Sequence, residues 1–307
     1  RYLLRLSHIK QCVFRRFCRS GTVGFIRFCS ITDLFHLFYV RFREEYNITN
    51  KGCATCPIRC ARTVKVYDKT VKGPELETLV LLGGNIGNCD LQKILDWNYE
   101  LDELGMDTIS AAGTIAWAME ANEKGLWHNG LSFGSIDTLS SIFDDIAHRR
   151  GIGDELAEGT KRLSEKYGGK EFAMHSKGLE LSAYEPRRAV GQGLGYAVSN
   201  RGGCHLNGGY LVILEGLGLN VDSQTPKAKA DFTMLFQDLM EMISASGQCL
   251  FTSYAFFPAF LLNKPNGILV KIVNFAATHV GWAVRLINKF PRICALHLPM
   301  FHHTKMF

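Results

Sequence analysis

The sequence predicts a mainly α-helical chain, and three observations carry that prediction. Between residues 90 and 167, apolar side chains recur at three- and four-residue spacing, the period of a helix with one buried face. Acidic or hydroxyl residues open several of these stretches, and glycines close them. Only one short stretch, residues 63–67, alternates with the period of a strand.

The elements follow in order. After the strand-like stretch, a turn-rich segment with Gly73-Pro74 leads into Glu75-Leu76-Glu77. Asp90 is placed as the N-cap of a helix running to about Gly105, with Leu91, Ile94, Leu95, Leu101 and Leu104 on one face. Asp107 or Thr108 caps the next helix. That helix carries Ile109, Ile115, Ala116 and Met119 at helical spacing and ends near Gly125. Residues 135–149 and 153–167 read as two more amphipathic helices, each closed by glycine. Residues 191–203 are glycine-dense and read as the start of a helix followed by a tight turn. Residues 228–244 read as a final helix. There is no internal repeat and no low-complexity tract.

At 307 residues and 47% hydrophobic content, the chain can bury a core for one large domain or two smaller ones. Its net charge of +6 is unevenly spread. Residues 1–52 hold ten Lys/Arg and three Asp/Glu, and residues 242–307 hold six Lys/Arg and no acid. The middle is therefore acidic, with nineteen basic and twenty-six acidic residues. The basic ends are rich in Phe, Leu, Cys and His and lack the composition of a solvated nucleic-acid-binding arm. The best candidate membrane span, residues 267–286, is interrupted by Lys271, His279 and Arg285. The first nineteen residues make a poor secretory signal. Neither nucleic acid nor membrane is expected as a partner, and the expected location is cytoplasmic.

Ten cysteines is a high count for this length. A chain this long with irregular cysteine spacing is not a small disulfide scaffold, so a tight cluster reads first as metal binding. That cluster is Cys53-Ala-Thr-Cys56-Pro-Ile-Arg-Cys60. Three thiolates so close can converge on one centre only if the backbone wraps around it, and Pro57 helps fix the turn. Soft thiolates select zinc, Cu(I) or an iron–sulfur cluster. A structural zinc site usually shows two ligand pairs, and no second pair stands here. Three clustered cysteines with one distant partner is a common cluster arrangement. The order also reverses the Cys-x3-Cys-x2-Cys run of radical enzymes. Spacing leaves the fourth ligand open among Cys89, Cys204, Cys249 and the cysteines near the ends.

Further motifs follow in order: Gly73-Pro-Glu-Leu-Glu-Thr78, Asp102-Glu-Leu-Gly-Met-Asp107-Thr-Ile-Ser110, Lys177-Gly-Leu-Glu-Leu181, Gly191-Gln-Gly-Leu-Gly-Tyr-Ala197 and Ser199-Asn-Arg-Gly-Gly-Cys-His205. With the cysteine motif, they resemble the second and third domains of the tungsten-dependent aldehyde:ferredoxin oxidoreductase family, over about residues 50–250. Several independent motifs in one order are more specific than any one of them. The resemblance implies helical domains of that type and a [4Fe–4S] cluster on Cys53, Cys56 and Cys60. The family's fourth ligand closes an Asp-x-x-Gly-x-Cys motif. The matching segment is Ser244-Ala-Ser-Gly-Gln-Cys249, which makes Cys249 the implied fourth ligand. Asp102, Asp107 and Thr108 match the motif that holds one pterin of a tungsten- or molybdenum-bis(molybdopterin). Ser244 and Gln248 stand at the matching place for the other pterin. Glu77 and His205 match the two side chains beside the metal. The implied activity is oxidation of a small aldehyde to its acid, with ferredoxin as electron acceptor and a homodimer among the expected assemblies.

The chemistry suits those residue types. A pterin presents an amino group beside a ring N–H, and one carboxylate accepts both donors in parallel. Aldehyde oxidation needs a positioned acid or base, a role that glutamate and histidine commonly fill. The plainer readings are a solvated carboxylate for Asp102, an N-cap for Asp107 and a structural histidine for His205. Two rival readings use the cysteines differently: an iron–sulfur electron-transfer subunit without pterin, and a zinc-stabilised interaction module.

The chain also departs from the family pattern. Ser244 stands where the pattern has Asp, which removes a charged two-pronged contact. The family's β-rich N-terminal domain has no counterpart, so a fragment is expected. Residues 50–262 form the helical cofactor region. Residues 1–49, apart from Ser20-Gly-Thr-Val-Gly24, and residues 263–307 are expected to be unmatched, as altered frames or unrelated sequence.

Overall fold

A computed structural model of the chain describes residues 46, 48–54, 56, 59–187, 189–208, 210–212, 214–215 and 222–251, and a few positions between 267 and 275. Pro57, Cys12, Cys18, Cys29, Cys294 and the segment 20–24 lie outside the described residues, as does most of 267–286. Helix dominates, as expected. Among the described residues no helix is long and apolar enough to cross a membrane. The chain divides into two compact units. Among the described residues, one is built on 46–183 with 201–203, the other on 184–200 and those from 204 onward.

In the first unit an antiparallel sheet runs β1 (Thr49–Lys51), β2 (Ala61–Val66), β3 (Lys69–Lys72) in that spatial order. Val64 and Val66 turn inward on β2 while Lys65 between them faces water, the alternation that pins register. Tyr67 and Asp68, both at positive φ, close the β2–β3 hairpin. Then come α1 (Leu76–Leu81), α2 (Leu91–Glu103) and α3 (Thr108–Glu123). The Asp90 carboxylate caps α2, accepting from the Gln92 and Lys93 N–H groups at 2.9 and 3.3 Å. The α2 face carrying Leu91, Ile94, Leu95 and Leu101 is buried, as the spacing requires. Trp97 is buried with it, crossing Phe143 edge-on at 6.0 Å and donating to the Ser140 hydroxyl at 3.1 Å. Helix α3 is buried almost all round from Ala112 to Ala121 and packs on α1, on a later helix over Gly159–Tyr167 and on a short strand over Leu179–Glu180. It is the central post of this unit, and that role suits its small residues.

Two expectations change here. Residues 135–149 give a shorter helix, α4 (Leu139–Ala147). Residues 153–167 give two helices, α5 (Ile152–Leu156) and α6 (Gly159–Tyr167). Gly159 sits at φ +79°, a left-handed conformation that ends the run. The Glu180 carboxylate then accepts from the Thr160 N–H at 2.9 Å, serving the new helix start. Helix α5 lies so close to α4 that a Cβ on Gly153 would fall 2.2 Å from the Asp145 carbonyl carbon. Gly153→Ala is expected to destabilise this unit by about 1–3 kcal/mol, read as a lower urea midpoint at unchanged slope.

The sequence reading also passed over α1 and a hairpin of β4 (His175–Ser176) and β5 (Leu179–Glu180), turned by Lys177 and Gly178 at positive φ. Gly202 and Gly203 lie against this hairpin. A Cβ on them would fall 2.1 Å from the Ser176 oxygen and 2.4 Å from the Leu179 oxygen, and the Gly203 N–H donates to Ser176 at 3.1 Å. Only glycine allows that approach.

The second unit packs α7 (Val190–Val198) against α8 (Lys229–Ala245). Its apolar centre is Leu211, Leu214, Phe236, Met240 and Ile243. Both helices fall where the sequence places them, near the segments 191–203 and 228–244.

Candidate cofactor site

The three clustered cysteines occupy the loop between β1 and β2, closed where Lys51 pairs with Ala61. The Cys56 N–H donates to the Cys53 carbonyl at 3.0 Å, which tightens the first half. The ends of the loop touch: a Cβ on Gly52 would lie 2.9 Å from the Arg59 Cα. Arg59 itself is at φ +45°. All three thiols are free, Cys53 and Cys60 exposed and Cys56 half-buried. A closed loop carrying three soft, solvent-facing donors fits a thiolate-bound metal group in donor type and spacing. Among the described residues, no three His, Cys, Asp or Glu side chains are already gathered into a metal-holding group. Cys249 is exposed, is not in a disulfide and belongs to the other unit, just past α8. Cys204 is buried, its Sγ taking the Asn207 N–H at 3.4 Å, and Cys89 is disulfide-bonded.

The segment from Asp102 to Thr108 is a sharp corner between α2 and α3. The Gly105 N–H donates to the Asp102 carbonyl at 3.1 Å and the Met106 N–H to the Leu101 carbonyl at 2.8 Å, a helix stop that needs Gly105 at φ +67°. Asp107 then caps α3, its Oδ2 accepting from the Ser110 N–H at 2.7 Å. The plainer reading of Asp107 as an N-cap is therefore correct as far as it goes. A carboxylate has about four lone-pair sites, so one cap bond leaves room for a ligand. Asp102 is exposed at the end of α2. Thr108 is half-buried, and its hydroxyl meets that of Thr78 at 2.8 Å. That contact ties the start of α3 to α1, where half-buried Glu77 precedes Thr78. Glu77, Asp102, Asp107 and Thr108 thus share one unit and adjoining helix ends. Two exposed carboxylates flanking a rigid corner fit the donors of a pterin edge.

The same corner recurs at the end of α8. The Gly247 N–H donates to the Ser244 carbonyl at 3.1 Å, with Gly247 at φ +70°. Ser244 occupies the position in α8 that Asp102 occupies in α2, and Ser244, Gln248 and Cys249 are all exposed. His205, also in this second unit, is half-buried against two tyrosine rings, Tyr184 at 5.5 Å and Tyr210 at 5.7 Å, which meet each other at 6.2 Å.

Sequence reasoning missed the most buried polar cluster of this unit. The Glu215 carboxylate accepts from the Gly191 and Gln192 N–H groups at 2.7 and 3.0 Å. Those are orphan donors at the start of α7, whose N-cap Ala189 has no side chain to serve them. Lys229 Nζ lies 2.6 Å from Glu215 Oε1, at an angle outside hydrogen-bonding geometry, and both side chains are almost fully buried. One signal was available: a lysine in the first turn of a helix opposes the dipole and asks for a partner. Nearby, Glu185 grips Arg187 through Nε at 2.7 Å and Nη2 at 2.5 Å, and these bonds hold the guanidinium pKa above its usual value.

The family model for aldehyde ferredoxin oxidoreductase, domains 2 and 3, matches residues 33–286. The tungsten-containing aldehyde ferredoxin oxidoreductase of Thermococcus kodakarensis is 43% identical over 68% of this chain and 36% of its own length. That of Pyrococcus abyssi is 43% identical over 73% and 39%. An aliphatic sulfonate oxidoreductase, WOR-like subunit, of Pyrococcus furiosus is 29% identical over 49% and 27%. The solved active site complex BamBC of benzoyl coenzyme A reductase with 1,5-dienoyl-CoA superposes at a TM-score of 0.42 and 18% identity, over 62% of this chain and 35% of that one, a likeness too loose to bear on function. The chain spans under two-fifths of the length of the relatives it matches at 43% identity. A family match across most of the chain, joined to glycine-stopped helix corners where the motifs stand, makes this chain a member of the aldehyde ferredoxin oxidoreductase family.

Proposed function

We propose that this chain forms the cofactor-holding part of an oxidoreductase that converts small aldehydes to carboxylic acids and passes the electrons to ferredoxin. The observation that carries this reading is the pair of carboxylates at the α2–α3 corner, in the same unit as a closed loop of three free thiols. The aldehyde and ferredoxin assignments draw on the names of the 43%-identical relatives.

In this reading Cys53, Cys56, Cys60 and Cys249 hold a [4Fe–4S] cluster. Asp102, Asp107 and Thr108 hold one pterin, and Ser244 and Gln248 stand at the other. When bound, a tungsten- or molybdenum-bis(molybdopterin) supplies the two-electron redox chemistry. The balance is an aldehyde plus water giving an acid, two electrons and two protons. Glu77 and His205 handle the protons, one polarising the carbonyl oxygen while the other accepts from water. The residues around them supply orientation and electrostatics.

Elemental analysis and EPR of the reduced protein, made with cofactor supply, test the reading. Tungsten or molybdenum together with iron supports it. Iron without either metal favours an electron-transfer subunit, and a single zinc in colourless protein favours an interaction module. Asp107→Asn sharpens the test. Asparagine caps helices as well as aspartate, so the melt is expected to stay within a few tenths of a kcal/mol. Its amide cannot accept both pterin donors, so pterin retention is expected to weaken about 10- to 100-fold, the worth of a charged hydrogen bond. Unchanged pterin content in that variant would remove Asp107 from the site.

A further inference from the structure

We propose that Gln192 is a positioning residue for His205, a role that rests on the reading above in which His205 works on the substrate. Gln192 is fully buried in the first turns of α7. Its Oε1 accepts from the Val212 N–H at 3.1 Å and its Nε2 donates to the His205 carbonyl at 3.4 Å. The two partners fix the amide's orientation. A backbone N–H can only donate and a carbonyl can only accept, so a flipped amide would lose both bonds. One side chain therefore ties the His205 backbone to the Val212 backbone further along the chain.

The bridge is itself anchored. The Gln192 N–H is held by Glu215, and Glu215 is paired with buried Lys229 at the head of α8. The His205 backbone is thus referred to both helices of its unit, while Tyr184 and Tyr210 pack against the ring. A buried network with defined partners rigidifies what it touches. Rigidity matters here because a misplacement of about 1 Å in a reacting group can cost about 100-fold in rate. Gln192 touches neither substrate nor cofactor in this account; it acts through the histidine.

The test uses the full chain with carbon-13-labelled histidine. The chain has ten histidines, and His205→Gln identifies the His205 imidazole signal by its disappearance. In Gln192→Met, which keeps the length and removes both bonds, the His205 imidazole signal is expected to move, with the other histidines unchanged. Gln192→Asn keeps the amide but falls one methylene short, and decides the matter if the methionine variant does not fold. In the metal-loaded enzyme, either variant is expected to lower kcat about tenfold with KM little changed. An unmoved His205 signal in the folded variants, or an unchanged kcat at full metal content, overturns the proposal. If the parent chain takes up neither tungsten nor molybdenum, the proposed function fails, while the resonance measurement still decides whether Gln192 positions the histidine.

Discussion

Cys56→Ser is expected to reduce the iron and sulfide content of the loaded protein to background and to abolish the EPR signal of its reduced form. The reason is local. Cys56 sits half-buried in the closed 52–60 loop, and its thiol is not tied into a disulfide. Serine preserves the fold but presents a hard hydroxyl of much higher pKa, a poor substitute for a thiolate toward iron. The unfolding free energy of the metal-free protein should stay within about 0.5 kcal/mol of the parent, as for other surface changes. Cys204→Ser is the control. Cys204 is buried against Asn207, so its loss should touch stability and leave iron in place. Full iron in Cys56→Ser would dissociate the loop from the cluster altogether.

The largest effect on folding is expected from Lys229→Met. Lys229 and Glu215 are almost fully buried, and methionine leaves the carboxylate without its cation. The two N–H donors of α7 still hold it, but removing one partner of a buried pair typically costs about 3–5 kcal/mol. The double variant Lys229→Met/Glu215→Gln removes both charges and should recover part of that loss, the part due to the uncompensated charge, while its single amide oxygen leaves one of the two α7 N–H donors unserved. Denaturant unfolding of the parent, the two singles and the double closes a cycle, and a coupling near zero would contradict the pairing.

What was legible from sequence was local. Asp90 and Asp107 announce helix starts, and Gly105 and Gly125 announce stops, because a cap or a left-handed turn is decided within a few residues. The three cysteines were legible for the same reason, since one loop contains them all. Illegible features depend on distant neighbours. Helix α1 is too short and too buried to show a period, and β4 and β5 are two residues each. The break at Gly159 is completed by Glu180, which stands well beyond the helix it serves. Lys229 at a helix start hints that a partner is needed, but nothing in the sequence names Glu215; only the fold of this unit brings them together.

The glycine-stopped corner at the ends of α2 and α8 bears on how such a chain tolerates mutation. In both corners the fold uses the carbonyls of Asp102 and Ser244, not their side chains, so either side chain can drift without unfolding anything. Asp107 differs, because its carboxylate also caps a helix, and losing it costs about 1 kcal/mol of stability whether or not a cofactor is present. Selection on folding alone therefore shields Asp107 and leaves positions 102 and 244 exposed to neutral change. A serine at 244 is the kind of substitution that such uneven protection lets through.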